Sequence, residues 1–385
     1  MSEWKKVKLG EICKNVTSGG TPKSSVASFY NPPTVPWLKT KEVNYCRIYE
    51  TENHISEEGL RNSSAKMIPA NSIIVAMYGQ GDTAGRVAIN KIPVTTNQAC
   101  CNLTIDENKA DYEFVYYNLC TLYDKLVSLK NGGAQPNLNA GIIKDLETTL
   151  PPLSTQHRIA TILSRYDSLI ENYQKQIKLL EEAAQRLYKE WFINLHFPGH
   201  ENTNIIDGVP EGWEKKKVGE LIAKVPRTKQ IPTKDYQKKG SIPVIDQSRD
   251  YIAGYTDDEE SKVESNEPYI VFGDHTRILK YVPFPFAKGA DGTQLIMSNN
   301  LDLMPQSLLF TSLVNVDLSN YSYARHFKYL KEEEILVPTD SIATIFSKYV
   351  AKWYAKIQQN RTQLRLLTEA RDRLLPKLMS GAIEV

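Results

Sequence analysis

The sequence predicts a mixed α/β (α+β) fold in which two similar globular domains are separated by two long helices. Three observations support this: the chain repeats itself, two stretches carry long helical stripes of apolar residues, and β-rich runs alternate with turns elsewhere. At 385 residues the chain also exceeds the size of one ordinary domain. We expect the helices to pair as an antiparallel coiled coil, with a pseudo-twofold axis relating the halves.

Two internal repeats organise the chain. The segment Trp4–Ile12 matches Trp213–Leu221 at its Trp, Lys, Gly and Glu positions. A sharper match joins Ile159–Tyr166 to Ile342–Tyr349, where six of eight residues are identical. The order is therefore globular domain, helix, globular domain, helix.

A third match shows that the second helical copy is longer. Gln176–Leu180 corresponds to Gln363–Leu367, but the second copy carries four extra residues between the two matched blocks. Four residues are about one helical turn.

The first helix should begin near Ser154, which is a good N-cap after Pro151-Pro152, and should end before Pro198-Gly199. Roughly 38 residues would make a rod of about 57 Å. Its apolar seam has heptad-like spacing. The seam consists of Ile159, Ile162, Tyr166, Leu169, Tyr173, Ile177, Leu180, Ala184, Leu187 and Trp191.

The second helix carries a similar seam, with a kink or break expected at Pro376. A polar seam residue, Asn360, is of the kind that fixes helix register. The alternative is that each helix is an ordinary core helix, which their length disfavours. The seam consists of Ile342, Ile345, Tyr349, Trp353, Ile357, Asn360, Leu364, Leu367 and Leu374.

The globular segments mix short strands and helices, and a Pro-, Gly- and Asn-rich link separates the halves. A helix is predicted over Tyr112–Lys130. Strands are predicted at Ser72–Met77, Val87–Ile89, Pro268–Phe272 and Ser307–Phe310. The predicted divisions are a first domain (1–150), a central helix (151–197), a linker (198–212), a second domain (213–337) and a C-terminal helix (338–385).

Composition excludes several classes of protein. No apolar run reaches 18 residues, which argues against a membrane span, and the N-terminus has no signal-peptide pattern. The five cysteines contain no C-x-x-C pair, so we expect reduced thiols in a cytoplasmic protein. The net charge of +2 neither indicates nor excludes a nucleic-acid ligand, because a local basic patch suffices.

Three segments could suggest catalysis, and each has a simpler interpretation. Asn31-Pro32-Pro33-Thr34 lacks the aromatic residue that a DNA aminomethyltransferase stacks on a flipped base, so we predict a proline-rich loop. Gly79–Gly85 lies between strand-like runs rather than before a helix, which favours a hairpin loop over a nucleotide site. Gly273–Arg277 and Ala290–Gly292 lack metal-site spacing. We therefore predict no catalytic residues and no metal site.

Basic and amide side chains recur in the predicted loops of both halves. Lys and Arg neutralise phosphates, while Arg, Asn and Gln can also contact base edges. For any single residue, a solvated surface position is the competing interpretation. The candidate DNA-contacting residues are Lys39, Lys41, Gln80, Arg86, Gln98, Gln135, Arg227, Gln247, Arg249, His275, Arg277 and Arg325.

Four segments occur in a characteristic order along the chain. They are Ser18-Gly19-Gly20-Thr21-Pro22 followed by Tyr30 and Pro36-Trp37; Gly132–Leu138; Leu150-Pro151-Pro152-Leu153 followed by Gln156 and Ile159-Ala160; and Leu374–Gly381. This combination resembles the specificity subunits of type I restriction–modification enzymes over essentially the whole chain. One departure is Val337-Pro338-Thr339-Asp340-Ser341, which lacks the Pro-Pro and Gln that precede the first helix.

The resemblance implies that each globular domain is a target-recognition domain for one half of a bipartite double-stranded DNA target. The helices would set the gap between the halves and dock two methyltransferase subunits, and two motor–nuclease restriction subunits would complete the complex. The chain itself would be non-catalytic and need no cofactor, since S-adenosylmethionine, ATP and Mg²⁺ would be bound by partner subunits. Competing hypotheses are a coiled-coil scaffold with two protein-binding modules, and an enzyme with catalysis hidden in residues 1–150.

Overall fold

The computed structural model describes residues 4–130, 137–321 and 325–385, and it confirms the mixed α/β fold. The chain forms two compact units. Unit 1 is Met1–Ile170 with Leu366–Val385, and unit 2 is Glu171–Arg365. The boundary between the units therefore falls inside each of the two long helices.

Unit 1 contains the first ten strands and the first four helices, together with parts of the two long helices. Its strands are β1 Lys5–Lys8, β2 Cys13–Ser18, β3 Val35–Leu38, β4 Arg47–Ile48, β5 His54–Ile55, β6 Ile73–Ala76, β7 Val87–Asn90, β8 Thr95–Thr96, β9 Cys100–Ile105 and β10 Glu147–Leu150. Its short helices are α1 Glu57–Arg61, α2 Tyr112–Thr121, α3 Tyr123–Ser128 and α4 Ala140–Asp145, and the long helix α5 spans Leu153–Tyr188.

The core of unit 1 lies on both faces of a five-stranded sheet with the order β2-β9-β6-β7-β4. Alternate residues of β6 face opposite sides, as the two-residue period of a strand requires. Ile73 and Val75 pack in the cluster that includes Phe114 of α2. Ile74 packs in a second cluster with Leu38 of β3. This double burial explains why β6 and β7 are continuous apolar runs.

Unit 2 repeats this mixture of short strands and helices. Its strands are β11 Ile205–Ile206, β12 Val209–Pro210, β13 Glu214–Lys217, β14 Gln230–Ile231, β15 Ile242–Ile245, β16 Gly254–Thr256, β17 Lys262–Val263, β18 Tyr269–Gly273, β19 Leu279–Val282, β20 Phe286–Gly289, β21 Thr293–Ile296 and β22 Glu334–Val337. Its short helices are α6 Val218–Leu221, α7 Gln306–Val314 and α8 His326–Glu332, and the long helix α9 spans Asp340–Met379.

The two units share several strand pairings, although their sheets differ in size. In unit 1 the first strand β1 pairs antiparallel with the last strand β10, and in unit 2 β13 pairs antiparallel with β22. A parallel pair recurs as β3 with β8 and as β15 with β20. An antiparallel triplet recurs with β6 between β7 and β9, and with β18 between β19 and β21. The sequence repeat therefore corresponds to a repeat of the fold.

Both long helices predicted from the apolar seams are present, with 36 residues in α5 and 40 in α9. Ser154 is not the N-cap, because the helix already begins at Leu153 and the carbonyl of Pro152 accepts the amides of Thr155 and Gln156. The helix does not break at Pro376, since α9 continues through this residue to Met379, so of the two predicted outcomes the break is wrong. A helical turn of π type, Lys189–Ile193, follows α5.

In unit 1 the two long helices are joined by a buried ionic contact. The Asp167 carboxylate of α5 accepts hydrogen bonds from Arg371 Nη1 of α9 at 2.7 Å and from the Tyr117 hydroxyl of α2 at 2.5 Å. Burial, reinforced by the Asp167 charge, raises the pKa of Tyr117 well above its ordinary value. The phenol therefore stays a hydrogen-bond donor.

In unit 2 the two long helices run antiparallel. Gln176 of α5 accepts a hydrogen bond from Asn360 Nδ2 at 3.0 Å, and twelve residues further along α5 the Tyr188 ring meets that of Phe346 with ring centroids 6.3 Å apart. The partners in α9 thus run backwards as α5 runs forwards. Asn360 is fully buried, as expected for a seam residue.

Two other predicted elements differ from the structure. Ser307–Phe310 is not a strand but part of α7, and a short apolar run cannot distinguish a strand from a buried helix by periodicity alone. The Gln306 amide fixes the start of that helix by bonding the backbone of Ile296 and Ser298. The helix predicted over 112–130 is divided into α2 and α3 at Leu122.

Within the three described ranges, no helix is long and apolar enough to cross a membrane.

Replacing Arg371 by Ala should lower the free energy of unfolding of unit 1 by about 2–3 kcal/mol, because it leaves the buried Asp167 carboxylate without its cation. Arg373→Ala is the matched control, since Arg373 is exposed and its nitrogen lies 4.0 Å from Glu369. This control substitution should lower the free energy of unfolding by less than about 0.5 kcal/mol. Urea unfolding of the full chain measures both, and equal effects would show that the Asp167 contact is not stabilising.

Candidate nucleic-acid interface

A cleft of about 1060 Å³ in unit 2 brings together three of the candidate DNA-contacting residues. Arg227 precedes β14, His275 lies between β18 and β19, and Arg325 immediately precedes α8. All three side chains are exposed and line the cleft. The lysines and arginines of the lining are Lys224, Arg227, Lys288, Arg325 and Lys331, and its carboxylates are Asp274 and Asp291.

Parallel strands position one side of this cleft. Strand β20 pairs in parallel with both β14 and β15, so the carboxyl ends of the three strands meet at one edge of the sheet. The turn Ala290–Gly292 follows β20 at that edge, and Asp246 and Gln247 follow β15. This is the part of an α/β sheet where ligands most often bind.

Gln247 ties these loops together. Its Nε2 donates to the carbonyl of Asp291 at 2.9 Å, and its Oε1 accepts the backbone amide of His275 at 3.1 Å. Its own carbonyl accepts the Thr276 hydroxyl at 2.7 Å. The side-chain amide is therefore engaged in ordering the loops around the cleft. Arg249, by contrast, is exposed, and its side chain forms no hydrogen bond or ion pair with another described residue.

The loop after β18 is held against the start of α8. The buried Asp274 carboxylate accepts the amide of Phe327 at 2.8 Å, and the Asp274 carbonyl accepts the amide of His326 at 2.9 Å. Arg277 is in the left-handed region at φ 61°, and its Nη2 donates to the Tyr321 carbonyl at 2.8 Å. Of these two candidates in the same loop, His275 lines the cleft and Arg277 does not.

Sequence reasoning missed three lysines of the cleft, Lys224, Lys288 and Lys331. Lys288 carried a usable signal, because it interrupts the otherwise apolar strand Phe286–Gly289 and marks one polar position on a buried strand. Lys224 and Lys331 carried none, since they lie among many other basic residues of the chain.

In unit 1 the motif Ser18–Pro22 forms a loop held by aromatic residues. Trp37 Nε1 donates to the Gly20 carbonyl at 3.1 Å, and the Tyr30 hydroxyl donates to the Pro22 carbonyl at 2.6 Å. A Cβ on Gly19 would lie 2.2 Å from the carbonyl oxygen of Asn97. Only glycine permits this close approach of two backbones.

Lys39 and Gln98 follow the ends of the parallel strands β3 and β8, in the same topological place as the β15 and β20 ends in unit 2. Lys39 Nζ lies 4.8 Å above the Trp37 ring and donates to Asn53 at 2.9 Å. Gln98 is exposed, and its Oε1 accepts a hydrogen bond from the Thr21 hydroxyl. Lys41 is exposed, with a carboxylate oxygen of Glu52 at 3.3 Å.

The Gly79–Gly85 segment is a loop between the antiparallel strands β6 and β7, as predicted. Gln80 is exposed at its tip. Arg86 is engaged within the protein: it donates to Asn44 at 2.9 Å and forms an ion pair with Asp82. The Arg86 hydrogen bond lowers the pKa of Asp82, which keeps that carboxylate charged.

The predicted residues thus differ in availability. Arg227, His275 and Arg325 share one cleft, whereas Gln247 and Arg86 are largely committed to other protein groups. Gln135 lies outside the described residues. No cluster of three or more His, Cys, Asp or Glu residues that could hold a metal ion occurs in the parts of the chain that the structure describes.

Comparison with known proteins gives consistent matches. Residues 1–182 match the family of the type I restriction modification DNA specificity domain. The chain is 28% identical to the type I restriction enzyme MjaIX specificity subunit of Methanocaldococcus jannaschii, covering 100% of this chain and 97% of that one. It is 29% identical to the EcoR124I/EcoR124II specificity subunit of Escherichia coli over 51% of this chain and 48% of that one.

The fold matches a solved structure as well. The S subunit of a type I restriction–modification system from M. genitalium aligns with a TM-score of 0.66 at 17% identity, covering 98% of this chain and 96% of that one. Residues 1–182 are therefore similar to a DNA specificity domain, and a second unit with related strand pairings follows in the same chain. Over its whole length the chain is similar to a type I restriction enzyme specificity subunit, and the similarity of its first 182 residues is to the DNA specificity domain of such enzymes.

Replacing Gln247 by Ala should lower the free energy of unfolding of unit 2 by about 1–2 kcal/mol, because two side-chain hydrogen bonds between loops are lost. Arg249→Ala, two residues away, should change it by less than about 0.5 kcal/mol. Urea unfolding of the full-length variants measures the difference. If Gln247→Ala is as stable as Arg249→Ala, the Gln247 amide is not holding the cleft loops.

Proposed function

We propose that the chain is the non-catalytic specificity subunit of a multisubunit DNA adenine methyltransferase and ATP-dependent endonuclease. Residues 1–150 and 213–337 are its two target-recognition domains, and each contacts one half of a bipartite double-stranded DNA target. The observation that carries this proposal is the recurrence of the same set of strand pairings in both units of a single chain. Two similar domains that differ in their loops suit a target with two different halves.

The differences between the units support an asymmetric target. The paired residues at the ends of the parallel strands are Leu38 and Thr96 in unit 1, but Ile245 and Lys288 in unit 2. The same backbone positions therefore present different polar groups. Sequence preference in protein–DNA complexes depends on such side-chain differences more than on the fold.

We assign the spacing function to the helical regions 151–197 and 338–385. Continuous helices of 36 and 40 residues are stiff elements, and a helix rises about 1.5 Å per residue. The same regions provide the docking surface for two methyltransferase subunits. Two motor–nuclease restriction subunits complete the complex, and the partner subunits bind S-adenosylmethionine, ATP and Mg²⁺.

Methylome sequencing tests the proposal. The chain is co-expressed with its methyltransferase subunit in a host that lacks DNA methylation, and modified adenines are mapped. We expect a two-part motif with a fixed gap, because two recognition domains act at a set distance. A continuous motif, or no modification by an intact complex with a competent methyltransferase subunit, would contradict it. Methyl transfer by the purified chain alone would contradict the assignment of catalysis to the partners.

The helices can be tested as a spacer by inserting one turn in each. Four residues added after Ile170 in α5 and four before Leu366 in α9 should lengthen the gap by about one to two base pairs, since one turn is roughly 6 Å and a base pair about 3.4 Å. Both half-sites should stay unchanged, as read from the methylome.

The matched control adds four residues after Asn202, in the linker outside both helices. It should leave the gap unchanged. An altered half-site at constant gap in the helix variant would show that the helices do not act as a spacer.

A further inference from the structure

Lys288 occupies an unusual position in the unit 2 cleft. It lies on β20, in register with Gln230 of β14 and Ile245 of β15, so it is inside the sheet rather than on a loop. Its side chain lines the cleft together with Gln230 and is only partly exposed. A cation in this place has lost part of its hydration.

No ion pair or hydrogen bond to another described residue compensates this charge. Burial alone lowers the pKa of Lys288 from its ordinary value, and no carboxylate acts against that effect. Lys280, on β19 of the same unit, shows the contrast. Its amine is buried, but it lies 3.7 Å from the Asp246 carboxylate and donates to the carbonyl of Asp250. Unit 2 therefore supplies a counter-charge for one enclosed lysine and leaves the other without one.

The other charged residues of the cleft are mostly cations. Lys224, Arg227, Arg325 and Lys331 line the same cleft. The two carboxylates there do not pair with Lys288: Asp274 accepts the amide of Phe327, and Asp291 is exposed in the turn after β20. A cleft lined by more cations than carboxylates attracts an anion, and a partly dehydrated amine without a counter-charge is stabilised by one.

We propose that Lys288 and the cations of this cleft form a binding site for phosphodiester groups of the DNA backbone, rather than for base edges. The proposal rests on the function proposed above. A phosphate carries a full negative charge, which the site requires, whereas a base acceptor carries only a partial one. Lysine also acts on phosphate as a point charge, without the planar fork that arginine uses for paired contacts.

The corresponding place in unit 1 has different chemistry. Thr96 occupies the position of Lys288 on the parallel strand pair, and it is buried. Its Oγ1 accepts the Asn102 side-chain amide at 2.8 Å, so its hydrogen-bonding capacity is used within the protein. The lysine contact should therefore affect only the half of the target that unit 2 occupies.

Salt dependence of DNA binding tests the site. The full chain, in complex with its methyltransferase subunit, is titrated with a duplex carrying the target found by methylome sequencing, at several KCl concentrations. Lys288→Gln should reduce the slope of log affinity against log salt by about 0.9, the value for one lost phosphate contact. The methylated motif should stay unchanged.

The matched control is Lys262→Gln. Lys262 lies on β17, next to β20 in the same sheet, but it pairs with Glu264 and does not line the cleft. The slope of log affinity against log salt for Lys262→Gln should equal that of the unmodified complex. Lys288→Arg retains the charge and should keep the slope. Urea unfolding of all three variants shows whether any of them has lost stability, so that a change in slope caused by misfolding can be recognised.

A backbone probe locates the contact. Single methylphosphonate substitutions, which remove one charge each, are placed along the unit 2 half-site. One of them should weaken the unmodified complex severalfold and have no further effect on Lys288→Gln. Loss of one specified base from the motif of Lys288→Gln would overturn the proposal in favour of base contact. An unchanged slope with no sensitive phosphate would overturn it as well. Both results are distinct from failure of the proposed function, in which the unmodified complex has no two-part motif.

Discussion

The architecture depends on the pairing of the strand that opens each unit with the strand that closes it. Lys5 faces Leu150 across the first such pair, and Glu214 faces Val337 across the second. Because each closing strand leads almost directly into a long helix, the pairing fixes the globular part to the start of its helix. The loops between the paired strands are then free to differ without disturbing the helices. This arrangement suits the proposed function, in which the two units differ in the loops that contact DNA while the helices are kept.

The long helices gain specificity from polar groups that a purely apolar seam would lack. In unit 2, Asn360 is fully buried and its Nδ2 donates a hydrogen bond to Gln176. Its Oδ1 has no hydrogen-bond partner among the described residues. A leucine would bury more apolar surface at that position. Polar seam residues of this kind are retained where they fix register at some cost in stability. In unit 1 the Asp167–Arg371 contact acts similarly, because a shifted register would bury an unpaired charge.

Sequence periodicity was sufficient for the parts of the fold in which one local pattern decides the outcome. The long seams, the repeat and the Gly79–Gly85 hairpin loop are of this type. The cleft is not, because Arg227, His275 and Arg325 come from three distant segments that only the strand order brings together. Periodicity also failed at α7, where burial on all sides removes the polar face that would have revealed a helix. Gln247 has the chemistry of a base contact, yet tertiary hydrogen bonds use its amide.

The net charge of +2 does not indicate how unevenly the charges are distributed in the structure. Surface carboxylates balance the lysines and arginines in total, but in the unit 2 cleft five basic residues face two carboxylates. Whole-chain charge therefore says little about a ligand when the charges are segregated, since a cleft focuses the field of the groups that line it. The contrast between Lys288 and Thr96 extends the point to single positions. At one position of the shared framework, unit 2 has a partly exposed lysine and unit 1 has a buried, hydrogen-bonded threonine. A repeated fold can thus present unlike surfaces, which the proposed contact with two different halves of one DNA target requires.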